Sequence, residues 1–254
     1  MFKIRKNPEI KLDIPKFSCD TDAVGSHLEA HPLTQLLNVY GFLCLVGRPG
    51  HGKTSMAISF ISQKKPKIYR KTHHHILVLM PLNSMASLKH NPFEVLPSEN
   101  IYGELTDETI TDIYNRIDEY SKNDEKTLLF IDDMTADLKK TKVIQDILKR
   151  IIYNRRHLKT NIILTAQSYV NVPLDMRKCI TNLIMFKPPK REMEILFEEL
   201  IESKRELFQD IMTLTYDKKH NFLFVNIPSQ RMFKNWDEIL LLEKAEAKDE
   251  EEGS

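Results

Sequence analysis

Apolar residues fall into short continuous runs, separated by stretches in which they recur at every third or fourth position. Gly41 opens Phe42-Leu43-Cys44-Leu45-Val46, a run of strand length without polar alternation, as expected for a strand buried on both faces of a parallel sheet. Behind a glycine-rich segment, Met56, Ala57, Phe60 and Ile61 line one face of a helix. Residues 75–80 read as a second strand closed by Pro81, and a connection rich in Pro, Asn and Ser leads to about Glu104. Ile110, Ile113, Tyr114 and Ile117 mark a helix capped by Thr106 or Asp107. A third strand covers 127–131. Val143, Ile144, Ile147, Leu148, Ile151 and Ile152 predict a helix over 141–157. Strands at 161–165 and 182–186 follow, then a helix carrying Met193, Leu196, Phe197, Leu200 and Ile201, and a late strand at 222–227. This alternation predicts an α/β fold, a three-layer sandwich around a mainly parallel sheet with right-handed crossovers.

Residues 1–40 lack such patterning: Pro8, Pro15 and Pro32 interrupt them, and they end in a short amphipathic stretch at 33–40. They read as a wrapping arm before one domain at 41–240. With 41% hydrophobic and 29% charged residues, the chain fits an ordinary globular protein with a sizeable core, and neither disorder nor collagen. Its net charge of +1 conceals an acidic tail at 241–254, where six acids (Glu243, Glu246, Asp249, Glu250, Glu251, Glu252) face two lysines. That tail is expected to stay solvated and disordered. The apolar run at 76–82 is about a third of the roughly 20 residues a membrane helix needs, so no membrane segment is expected, and the basic start lacks the apolar stretch of a secretory signal. Cys19, Cys44 and Cys179 fit neither a disulfide framework nor a zinc site, which suggests a reducing compartment.

Of seven glycines, three (Gly47, Gly50, Gly52) lie within six residues. Gly47-Arg48-Pro49-Gly50-His51-Gly52-Lys53-Thr54 satisfies GxxxxGK[ST], the Walker A pattern, between a predicted strand and a predicted helix. Glycines let successive amides turn inward around an anion, and the helix behind adds its positive end. Residues 47–54 together with Ser55 are therefore the expected nucleotide site. Lys53 should reach the β- and γ-phosphates of ATP, and the Thr54 hydroxyl should ligate Mg2+.

Leu128-Leu129-Phe130-Ile131-Asp132-Asp133 ends a strand in two carboxylates, the Walker B arrangement. In a parallel sheet both would point into the crevice that holds the phosphate loop. Asp132 is the candidate for magnesium and Asp133 the candidate for polarising the attacking water. The next strand ends Thr165-Ala166-Gln167, and Gln167 would sense the γ-phosphate or hold that water. This combination points to the branch of P-loop NTPases with a dedicated catalytic acid, the RecA-like class, rather than to nucleotide kinases or GTPases.

These motifs, taken in order with Arg155-Arg156-His157-Leu158, Gln167-Ser168-Tyr169, Pro173, Arg177 and the run Leu183-Ile184-Met185-Phe186-Lys187-Pro188, resemble the genome-packaging ATPases of poxviruses, other nucleocytoplasmic large DNA viruses and virophages. Those proteins are relatives of the FtsK and HerA DNA pumps. The resemblance implies a ring of five or six subunits that hydrolyses ATP while moving double-stranded DNA into a capsid. Capsid vertex proteins would be further partners, and the virion or the host-cell cytoplasm the location. It departs from the wider family in two places: Asp133 stands where many related pumps carry Glu, and Cys179 where an Asn is common. A shared site of this kind needs an arginine from a neighbouring subunit; Arg155, Arg156 and Arg177 are candidates, Arg156 first. Other readings are a nucleotide-dependent assembly switch and a cellular helicase or partition-type ATPase.

Two basic clusters are candidates for DNA contact: Lys64, Lys65, Lys67, Arg70 and Lys71, and, better placed for coupling, Lys139, Lys140 and Lys142. His73-His74-His75 reads as a polar approach to the second strand, because alternate strand residues face opposite ways.

Overall fold

The computed structural model describes residues 2–5, 33, 36–38, 40–64, 68–89, 91–201 and 207–241. Among these, one sheet has six parallel strands: β2 (Phe42–Val46), β3 (His75–Leu79), β4 (Ile101–Tyr102), β5 (Thr127–Ile131), β6 (Thr160–Ala166) and β7 (Asn182–Phe186). Beyond β7 the sheet continues antiparallel through β8 (Phe222–Asn226), β9 (Arg231–Lys234), β10 (Asp237–Leu241) and β1 (Phe2–Arg5). The order across it is β1-β10-β9-β8-β7-β2-β6-β5-β3-β4.

Alternate side chains of each central strand enter two separate cores, which is why the strands read as unbroken apolar runs. Phe42, Cys44 and Val46 join Leu129, Ile131, Ile162 and Leu164 on one face. There they meet Ile113 and Ile117 of α3 (Asp107–Lys122), Ile144, Leu148 and Ile151 of α4 (Lys142–Asn154), Leu196 of α6 (Lys190–Leu200) and Ile211 of α7 (Leu207–Thr215). Leu43, Leu45, Leu128 and Phe130 enter the other, against Met56, Ala57 and Phe60 of α1 (Lys53–Ser62) with Leu33, Leu36 and Tyr69. The result is the three-layer α/β sandwich expected of a P-loop NTPase. Two shorter helices, α2 (Leu82–Ala86) and α5 (Leu174–Arg177), complete the connections.

Local chemistry sets the ends. Thr106 caps α3 by accepting from Thr109 N at 3.1 Å, and Thr109 Oγ1 accepts from Thr106 N at 2.8 Å. This is a reciprocal capping box. Thr141 caps α4 through Ile144 N, so the helix starts at Lys142, and it stops at Asn154 rather than at residue 157. The chain turns there through Lys159 (φ 47) and returns Thr160 N to Arg155 O. Val143 lies off the apolar stripe, 44% exposed.

The pattern missed one wing of the sheet. Phe2–Arg5, placed by sequence in the arm, pairs with β10, and Arg5 and Arg231 both bind Glu238. The remainder of that arm, apart from residues 33, 36–38 and 40, and the tail from residue 242 lie outside the described residues. Glu238 is 8% exposed, and the Arg231 hydrogen bonds, with Arg5, hold its carboxyl below the usual 4.5. A carboxylate with a lowered folded pKa stabilises above its unfolded value and loses that contribution as pH falls. Glu238→Gln should therefore cost about 1–2 kcal/mol at neutral pH, between an exposed and a fully buried pair. In thermal melts the gap between wild type and variant should close below pH 4.5.

Candidate functional site

The parallel strands carry β2, β5 and β6 out at the same edge, so whatever follows each of them shares one crevice. After β2 the loop is fixed at both ends. Gly47 N donates to Ala166 O of β6 at 3.0 Å, and a Cβ on Gly47 would sit 2.9 Å from Phe186 Cβ; close approach of β7 therefore demands glycine there. Gly50 (φ 77) and Gly52 (φ 90) take left-handed conformations with open space where a Cβ would stand, the condition for a loop whose amides turn toward a ligand. Gly52 is the N-cap of α1 and makes no side-chain cap bond, leaving the first amides of the helix to an incoming anion.

Lys53 is 9% exposed, and its Nζ donates to Arg48 O at 3.3 Å, across the loop. Burial lowers its pKa, opposed by Asp132 and Asp133. Arg48, Pro49, Gly50, Gly52 and Ser55 are exposed and His51 half-buried. His51 Nδ1 is 3.0 Å from Arg48 O, which needs the proton on Nδ1, because a carbonyl only accepts.

Asp132, 2% exposed, receives Thr54 Oγ1 at 2.9 Å and Thr165 Oγ1 at 2.6 Å. Burial raises its pKa; the Thr165 and Thr54 hydrogen bonds pull it back, Asp133 adds to the rise and Lys53 opposes it. Asp133 is exposed and left-handed (φ 54), a conformation that Asp tolerates better than most residues. Its backbone N donates to Thr165 Oγ1 at 3.2 Å, and its Oδ1 accepts from Gln167 Nε2 at 2.8 Å. Asp133 and Gln167 border an open cleft of about 500 Å3 with Thr135, Ala136, Lys139 and Asn171.

The structure thus brings Lys53, Thr54, Asp132, Asp133 and Gln167 to one edge. Thr165 joins the five as the residue whose role sequence reasoning missed: its hydroxyl serves both acids at once. The signal for it was the register, because Ile131 pairs with Leu164 and the next residues, Asp132 and Thr165, must be neighbours. Thr54 Oγ1 beside a buried carboxylate is an all-oxygen donor pair, the chemistry magnesium takes.

The three arginines lie elsewhere. Arg155 donates to Ile152 O at 2.9 Å and Arg156 is exposed, both past the end of α4 at the opposite edge of the sheet. Arg177 lies over the Tyr169 ring at 4.9 Å and 3.3 Å from Glu199 Oε1. None of the three is bonded to the glycine-rich loop at residues 47–54. The histidine run is divided among separate partners: His73 meets Asn161 Oδ1, His74 accepts from Lys126 N, and His75 meets Glu125 while stacking on Tyr120.

A family sequence model described as Poxvirus A32 protein matches residues 31–251. No curated protein matches the chain. Among solved structures, the genome packaging NTPase B204 from Sulfolobus turreted icosahedral virus 2 is similar in fold. Its complex with ATP-gammaS has a TM-score of 0.57 at 18% identity, covering 77% of this chain and 97% of that one. Its sulfate complex has a TM-score of 0.57 at 19% identity, covering 82% and 100%. B204 described as the DNA-packaging ATPase from Sulfolobus turreted icosahedral virus has a TM-score of 0.55 at 16% identity, covering 77% and 97%. Among the described residues no helix is long and apolar enough to cross a membrane.

Proposed function

Because the chain belongs to the poxvirus A32 protein family, we propose that it is an ATP hydrolase that drives double-stranded DNA into a viral capsid as a ring of subunits, in the virion or host-cell cytoplasm. The observation that carries this is the shared edge: a phosphate loop opening onto Lys53, with Thr54, Asp132 and Thr165 in one network and Asp133 held by Gln167 beside it. Similarity of fold to the B204 packaging NTPases, one of them bound to ATP-gammaS, supports the same reading.

In this account the loop amides and Lys53 hold the triphosphate. Thr54 and Asp132 would hold Mg2+, which when bound offsets charge on the phosphate oxygens and orients them. Asp133 accepts a hydrogen bond from water and draws its proton during attack on the γ-phosphorus, while Gln167 fixes the rotamer of Asp133 and the position of that water. Thr165 keeps the two acids distinct, binding the side chain of one and the backbone of the other. Arg156, exposed at the opposite edge, can serve only a nucleotide held by another copy, and we assign it the charge developing on a neighbour's γ-phosphate. Arg177, engaged by Glu199 and Tyr169, would act there only after leaving both.

Steady-state ATP hydrolysis against protein concentration, with and without duplex DNA, tests the proposal. Specific activity should rise with concentration, because a site completed by a neighbour follows mass action, and duplex DNA should raise it further. Concentration-independent activity indifferent to DNA would contradict the ring translocase.

A further inference from the structure

The described residues of the two basic clusters seen in the sequence sit on opposite edges of the sheet. Lys139, Lys140 and Lys142 lie at the catalytic edge among acids: Lys140 is 4.0 Å from Asp137, and Lys139 borders the cleft with Asp133. The other cluster lies where the strands begin. Lys64 follows α1, Arg70 and Lys71 precede β3, and Lys126 precedes β5. Lys64, Lys71 and Lys126 are exposed, and none of the four is in an ion pair among the described residues. Of the acids in the adjoining turn, Asp124 already holds Lys159 and Glu125 holds His75.

Backbone pairing makes this one surface. His74 N and His75 N both donate to Lys126 O, while Tyr69 N donates to Phe60 O and Arg70 Nη1 to Ser62 O, which ties the end of α1 to the segment before β3. A recess of about 170 Å3 opens here, lined by Tyr40, Tyr69, Thr72, His73, Lys126 and Asn161. The composition of the segment is one-sided as well: no Asp or Glu occurs between Glu29 and Glu94, a stretch that supplies Lys64, Lys65, Lys67, Arg70 and Lys71. Arg156 belongs to the α4 side of this edge, whereas the recess lies on the α1 side, so the two surfaces need not compete.

We infer that the α1 side of the strand-start edge, built from Lys64, Arg70, Lys71 and Lys126, grips the phosphate backbone of duplex DNA. The inference rests on the translocase reading and names which surface of this chain meets its substrate. Cations without carboxylate partners bind phosphates by releasing condensed counterions, a grip indifferent to sequence that weakens with salt. A motor that must pass any sequence needs that property. Placing the grip opposite the phosphate loop also keeps DNA phosphates away from Lys53, the cation meant for the triphosphate.

The test is duplex binding by the full chain at several salt concentrations, for wild type and for the triple variant Lys64→Gln, Lys71→Gln, Lys126→Gln. These exposed, unpaired side chains should be dispensable for folding, so melting temperature and DNA-free ATP hydrolysis should match wild type. Duplex affinity near 100 mM salt should fall on the order of 10²-fold, and the slope of log K against log salt should flatten by about 2.7. Lys139→Gln, Lys140→Gln, Lys142→Gln should change the affinity far less. An unchanged affinity and slope in the first variant overturns the inference alone, as does a larger loss in the second. Loss of self-association with duplex affinity intact would make the edge an interface between copies and overturn it too. Failure of the wild type to bind duplex at all would sink the translocase reading beneath it.

Discussion

Lys53→Ala should abolish ATP turnover, with a loss of about 10³-fold or more and only a small change in melting temperature. The two effects separate because of where the side chain sits. Lys53 is the buried cation of the loop, desolvated and drawn toward Asp132 and Asp133, yet its one direct hydrogen bond is to Arg48 O. The fold therefore gains little from it. A triphosphate would gain much, since a desolvated ammonium meets phosphate charge with less competing water. Arg48 is exposed, so water weakens what its charge could offer in replacement. Phosphate release and nucleotide binding together check the expectation: turnover within tenfold of wild type would mean that the loop is not the catalytic phosphate site.

Asp133→Asn should lower kcat by about 10²–10⁴-fold, the range for loss of a general base, while ATP affinity stays within about threefold. This substitution isolates the charge. Asn tolerates the left-handed backbone as well as Asp, and its carbonyl oxygen can still accept from Gln167 Nε2, so φ 54 and the 2.8 Å bond survive. A motor would then stop moving DNA with ATP bound; an assembly switch would keep its nucleotide-dependent assembly and lose nothing else. Asp133→Glu should not restore wild-type activity, because a longer side chain in the left-handed region is strained by about 1–2 kcal/mol and carries its carboxylate past the reach of Gln167. This offers a physical reason for Asp at a position where Glu is common in related pumps.

The juxtaposition of the proposed site residues was legible from sequence because each of them stands at a strand end, and strand ends are where apolar runs stop. Gly47 to Thr54, Asp132-Asp133 and Gln167 each follow such a run, and parallel pairing does the rest. Thr165 was hidden by its position inside the run: a hydroxyl one residue before the end of β6, a strand buried on both faces, looks like a tolerated strand residue until the register sets it beside Asp132. The antiparallel wing was hidden for another reason. Its outer strands bury only part of each face, and β9 reads exposed, buried, buried, half-buried along Arg231–Lys234. Such strands are held by pairing and by ions such as Glu238, which leave no periodic trace. In α7, Phe208 and Ile211 keep helical spacing but the third core position is Thr215, which breaks the apolar signal. The basic edge became a surface only when folding brought Lys126, 55 residues beyond Lys71, to the same rim.

The decisive experiment is a crystal structure with ATP-gammaS and magnesium. The β- and γ-phosphates should lie on the amides of residues 50–54 with the Lys53 ammonium against them, magnesium should be held through Thr54 and Asp132, and the γ-phosphate should face Asp133 and Gln167. Nucleotide bound at another edge of the sheet, or a loop left empty at saturating ligand, would contradict that arrangement.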